Sequence, residues 1–227
     1  MYNNYLKDVI HFNNLDKKSR LVFIKNRLLL FGINPIIQSF FSCFGKGKNI
    51  FAEIGNKSKK IVLTAHYDGT SIFDNNAAVI TLLELSCKIL PEELPYSIII
   101  LFTDQEESYQ QGSAYFLRDY SKDDIIKNIN IDGFGIGNEL FTVDSLIKNI
   151  NTDTDLFLTD RDEFSKCGIP STSYFSAFKI DFVSAKESGN IFSTFEKYKS
   201  ELFFKNKFKI LDNQLFTDYL GQIILKV

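Results

Sequence analysis

The chain has 227 residues, with 26 basic and 28 acidic side chains and a formal net charge of -2, so charge gives no ground for a nucleic-acid or membrane partner. Its 3 cysteines, Cys43, Cys87 and Cys167, are odd in number and widely spaced, which argues against a disulfide framework and for a reducing compartment. No apolar run approaches the roughly 18 residues of a membrane span, and the start, MYNNYLKDVIHFNN, has no apolar stretch followed by a small-residue cleavage site. A cytoplasmic protein is the expectation. The composition also holds only 2 histidines, so a metal or acid–base enzyme built on it must rely on carboxylates.

From Asp16 to Leu30 apolar residues recur at helical spacing, and Gly32 is placed to end that helix in a left-handed conformation. The segment after Pro35, IIQSFFSCFGKGK, reads as mixed and turn-like, and FAEIG as a short strand. Lys60 to Asp68 carries β-branched residues on both faces, as a strand covered by helices on both sides requires. A helix over Ala77 to Leu90 follows, stopped by Pro91. The unit then repeats as a strand from Ser97 to Asp104 and a helix from Gly112 to Tyr120, before a third strand from Ile125 to Gly133. DLFLTD, a capped helix from Asp160 to Cys167, the strand-like STSYFSAFKI and a closing helix over about Leu211 to Lys226 complete the chain. Alternating strands and helices predict one domain over 1–227, a three-layer α/β/α unit with a mostly parallel central sheet.

The chemistry collects where these strands end. The first closes on His66 and Asp68, the second on Asp104, Glu106 and Glu107, and the third on Asp132, with Asp74 in the loop after the first. Residues just beyond the carboxyl ends of adjacent parallel strands converge on one crevice. Several carboxylates and one imidazole meeting there would repel unless a divalent cation joined them. Each residue also has a plainer reading. Asp104 with Glu107, and Asp160 with Glu163, have the spacing of a capping box, Asp74 can start a helix, and Asp132 precedes the turn-former Gly133.

The segments AHYDGTSIFDNNAAVITLLELSCKIL, FTDQEESYQQGSAYF and INIDGFG, in that order and at those strand ends, resemble the successive metal-site motifs of the co-catalytic zinc aminopeptidase family. That family includes bacterial leucyl aminopeptidases and glutamate carboxypeptidases, and glutaminyl cyclases are related to it. NIFAEIG and TDRDEFSKCGIP also fit its plan. The resemblance implies a zinc-dependent aminopeptidase acting on peptides. His66, Asp74 and Asp132 would bind zinc, Asp74 would bridge to a second ion held by Glu107, Asp68 would orient His66, and Glu106 would be the general base for a metal-activated water.

The pattern breaks near the carboxyl end. The family's last ligand is a histidine, and the matching stretch here begins at Phe192, with no histidine after His66. Arg161 stands where many relatives carry histidine. Three outcomes are open: Asp181, Glu187 or Glu196 replaces the missing ligand and favours Mn2+ or Mg2+ at that position; one Zn2+ on His66, Asp74 and Asp132 suffices; or the chain binds peptides without cutting them. A glutaminyl cyclotransferase is a further alternative. His11 is expected to be a surface or interhelical histidine.

Overall fold

A computed structural model describes residues 5–89, 93–137, 139–143, 158–189, 191–199 and 221. Two helices open the chain, α1 (Tyr5–Asn13) and α2 (Lys17–Leu30). Asp16 caps α2 by accepting from the Ser19 amide at 2.7 Å. Its other end closes as the sequence predicts. Gly32 takes φ +76°, and the amides of Gly32 and Ile33 return to the carbonyls of Leu29 and Leu28, a turn that a side chain at position 32 would strain.

The next segment departs from the turn-like expectation. β1 (Ile36–Ser42) and β2 (Gly45–Ile54) form an antiparallel hairpin joined by two residues. Glycine inside a strand normally signals a break, but here Gly47 pairs with Phe40, whose ring lies where a Cβ on Gly47 would stand. That ring also stacks on Tyr115 at 4.7 Å between centroids.

The remaining elements are β3 (Lys60–His66), α3 (Asn76–Ile89), β4 (Ser97–Thr103), α4 (Gln111–Asp119), β5 (Ile125–Ile131), β6 (Glu139–Thr142), α5 (Asp160–Lys166), β7 (Ser171–Ala177), α6 (Lys179–Ser188) and α7 (Ile191–Glu196). The seven strands form one sheet in the order β1-β2-β4-β3-β5-β7-β6. β4, β3, β5 and β7 are mutually parallel, and β1, β2 and β6 are antiparallel to their neighbours, so the sheet is mixed with a parallel centre, as expected for this α/β class. Pro91 and, apart from Gly221, the closing helix expected over Leu211 to Lys226 lie outside the described residues, as does the first half of DLFLTD. Among the described residues no helix is long and apolar enough to cross a membrane.

Strand alternation sends Ile61, Leu63, Ala65, Ile98, Ile100 and Phe102 into one core with α1, α2 and α3. Val62, Ile99 and Leu101 enter a second core with Phe116 of α4 and Phe164 of α5. Each such fully buried side chain contributes about 1.5–3 kcal/mol relative to exposure. The second face turns polar toward the carboxyl ends of its strands: Thr64, His66, Thr103, Asn128 and Asn130 are all buried there.

Candidate metal centre

From β3 the chain passes to β4 on one side, while β5 beyond β3 leads on to β7 on the other. The crevice therefore opens between the carboxyl ends of β3 and β5, and it receives His66, Asp74 and Asp132. Side chains of Arg20 and Asn75 fix the loop that carries Asp74. Arg20 of α2, itself buried, donates to the carbonyls of Tyr67 at 3.1 Å and Gly69 at 2.6 Å. Asn75 donates to the Ile131 carbonyl at 2.9 Å and accepts from the Gly133 amide, which ties the loop to the end of β5 that bears Asp132. Gly69 lies so close to the loop's far end that a Cβ there would stand 2.2 Å from the Asn75 nitrogen.

His66 is 1% exposed at its side chain and its Nε2 makes no hydrogen bond. Around that nitrogen stand Asp74 Oδ1 at 3.4 Å, Asp132 Oδ1 at 3.6 Å and Glu106 Oε2 at 3.9 Å. The other ring nitrogen, Nδ1, faces Asp68 Oδ1 at 3.2 Å. Two sets of ligand-type atoms lie within 4.8 Å of one another, His66–Asp74–Asp132 and His66–Glu106–Glu107. A zinc bound tetrahedrally at about 2.0–2.1 Å spaces its ligand atoms about 3.3–3.4 Å apart, and the separations of 3.4 Å and 3.6 Å from His66 Nε2 to Asp74 and Asp132 are of that size. A buried nitrogen without a hydrogen bond, facing three carboxylates, is a donor set that could hold a cation.

Electrostatics agrees. Burial alone would depress the His66 imidazole, but the charge of Glu106 and the neighbouring carboxylates of Asp132, Asp68 and Asp74 lift it well above its ordinary range. Burial pushes Glu106 well up; His66 opposes this, and Asp132, Asp160 and Asp68 add to it. Asp132 is raised by burial, and Glu107 by burial and then by Asp74. Burial would raise Asp68 as well, yet the hydrogen bond and charge of His66 hold it below the usual carboxylate range.

Other expectations need correction. Asp104 is turned away from the crevice: it accepts from the amides of Lys48 and Gln105 and pairs with Lys17 at 2.6 Å, so it makes no capping box with Glu107. The box at α5 belongs to Thr159 and Asp162, not to Asp160 and Glu163. Asp160 is instead fully buried and accepts from the hydroxyls of Thr103 and Ser113. Asp181 is engaged by Tyr198 and Lys197, both at 2.6 Å, and neither it nor Glu187, Glu196 or His11 joins a metal-capable group among the described residues. His11 lies near Phe23 of α2, with ring centroids 5.8 Å apart, as an interhelical histidine would. Arg161 pairs with Asp162 at 3.1 Å. Phe192 falls in α7, and its side chain lies outside the described residues.

Asp160 carries a pH signature. Burial raises its carboxyl from 3.8 to about 6, so the folded state holds its proton to higher pH than the unfolded chain does. In metal-free buffer stability is expected to fall as pH rises from about 4 through about 6, by up to about 3 kcal/mol from this group. Urea denaturation of the parent and Asp160→Asn proteins should show the flatter profile in the variant; parallel profiles would remove Asp160 as the source.

Comparison with known proteins gives a consistent outcome. Residues 49–201 match peptidase family M28. Similar solved structures include a Zn-dependent exopeptidase from Parabacteroides distasonis, 15% identical with a TM-score of 0.75, covering 100% of this chain and 98% of that one. The Porphyromonas gingivalis glutaminyl cyclase is 17% identical with a TM-score of 0.71, covering 97% of each chain. A zinc aminopeptidase from Bacillus subtilis is 16% identical with a TM-score of 0.62, covering 81% of this chain and 50% of the other. No curated protein sequence matches.

Proposed function

The chain belongs to peptidase family M28, and from that premise we propose that it is a metal-dependent exopeptidase removing amino-terminal residues from peptides. The observation that carries this reading is the buried His66 Nε2, without a hydrogen bond and faced by Asp74, Asp132 and Glu106. His66, Asp74 and Asp132 would hold one Zn2+. Asp68 orients the His66 ring through Nδ1, and such support typically keeps the metal-facing nitrogen basic. By the family resemblance Glu107 and Asp74 would border a second position of oxygen donors, suited to Mn2+ or Mg2+ more than to zinc. With Phe192 in place of the family's last histidine, that second position has no nitrogen ligand, and the tightly held ion is the one on His66.

A zinc ion held there supplies a Lewis acid for the scissile carbonyl and makes the attacking water more acidic. Glu106, nearly buried beside His66 and contacted by the Gln110 amide at 3.5 Å, takes the water's proton and returns it to the leaving amine. Its raised affinity for protons in the metal-free chain suits an acceptor, and a nearby cation would draw it back toward ionisation.

Incubating the zinc-loaded protein with short peptides and identifying products by mass tests the reading. Release of the free amino-terminal residue supports it; binding without any product would make the chain a silent peptide-binding homologue. A second reading, cyclisation of amino-terminal glutamine, draws support from the similar glutaminyl cyclase, of which this chain covers 97%. Loss of ammonia without chain shortening would establish it. Gly69→Ala, by forcing the Asp74 turn outward, is expected to weaken zinc binding about 10–100-fold in competition with a chromogenic chelator. Unchanged affinity would remove Asp74 from the ligand set. Cys43, Cys87 and Cys167 are free thiols, which fits a reducing, cytoplasmic setting, and a peptide is the partner this reading assigns.

A further inference from the structure

The loop that carries Glu106 and Glu107 runs from Asp104 at the end of β4 to Gln110 at the start of α4. Three of its residues, Gln105, Tyr109 and Gln110, are not glycine yet have φ of 57°, 61° and 51°. Side-chain-bearing residues adopt that conformation when their surroundings impose it. Inside the loop the Gln110 amide returns to the Glu106 carbonyl at 2.9 Å and the Gln111 amide to the Gln105 carbonyl at 3.0 Å. Ser42 of the β1–β2 hairpin holds the Gln105 side chain at 2.7 Å. Two groups from elsewhere in the chain join the loop's two ends: Asn49 of β2 accepts from the Asp104 amide at 3.1 Å and donates to the Gly112 carbonyl at 2.8 Å, and Asp160 makes a second bridge. Asp160 of α5 accepts from Thr103, the last residue of β4, through one carboxylate oxygen, and from Ser113, in the first turn of α4, through the other.

A neutral amide presents one accepting oxygen and one donating nitrogen, so in its place one of the two hydroxyls would have to turn from donor to acceptor. Burying a carboxylate completely, as at Asp160, is costly unless hydrogen bonds satisfy it, and the two hydroxyls do so here. We propose that Asp160 is a positioning residue for this centre: by bridging Thr103 and Ser113 it fixes both ends of the 104–110 loop and so sets where Glu106 stands. The proposal rests on the reading of Glu106 as the base.

The test combines turnover with amide hydrogen exchange in the full chain. Asp160→Asn is expected to lower kcat about 10–100-fold with KM changed less than threefold, and to speed exchange in 104–110 while β3 and β5 keep their protection. Ser113→Ala should give a smaller effect of the same kind, and the double variant no greater loss than Asp160→Asn alone. Unchanged kcat in Asp160→Asn, or exchange accelerated evenly across the sheet, would overturn the proposal by leaving Asp160 a merely structural residue. Should Asp160→Asn fail to fold, Thr103→Val and Ser113→Ala decide by the same local exchange, and no local change in either would refute it. If the parent protein hydrolyses no peptide, the functional reading fails by itself, and exchange in 104–110 still reports on the bridge.

Discussion

Glu106→Gln is expected to reduce kcat for peptide hydrolysis by about 10²–10⁴-fold, the usual loss when a positioned general base is removed. Glutamine keeps the shape and the acceptor that faces Gln110, so folding and the His66–Asp74–Asp132 set should be preserved. Steady-state kinetics alongside metal analysis separates the possibilities: zinc content and KM should stay close to the parent while turnover collapses. Undiminished turnover would remove Glu106 from the reaction. Lost zinc would make it a ligand, which its position in the second metal-capable set with His66 and Glu107 would then explain.

His66→Ala should abolish the stabilisation that zinc gives. A ligand that binds only the folded state at 100 times its Kd stabilises by about 2.7 kcal/mol. The chelated parent protein holds the carboxylates of Asp74, Asp132 and Glu106 around the His66 imidazole. Zinc added back should raise its Tm by several degrees and leave His66→Ala unmoved, because aspartates alone make a weak zinc site. A variant that zinc stabilises as much as the parent would place the ion elsewhere.

Much of this arrangement is legible in the residues themselves. LTAH and IILFT are unbroken buried runs, and a run buried on both faces implies a central parallel strand whose carboxyl end meets its neighbours'. That reasoning brings His66, Asp74, Glu106, Glu107 and Asp132 to one crevice, where the structure has them. What stays hidden depends on partners distant in sequence. Asp160 is 47 and 57 residues from the hydroxyls it accepts, and locally it is indistinguishable from a helix-start acid, since Thr159 with Asp162 satisfies the same capping spacing. Arg20 reads as one basic residue of an amphipathic helix, although its target carbonyls lie 47 and 49 positions away. The β1–β2 hairpin is masked by its glycines and by exposed apolar residues such as Phe41 and Phe44, because an edge strand lacks the alternation of a half-buried one.

The central claim is that His66 anchors a metal ion, and anomalous scattering from crystals grown with zinc tests it most directly. Data across the zinc absorption edge should show one strong peak bounded by His66 Nε2 and the carboxylates of Asp74 and Asp132, with any second peak beside Glu107 weaker. No peak there, with His66 Nε2 hydrogen-bonded to a carboxylate instead, would contradict the account.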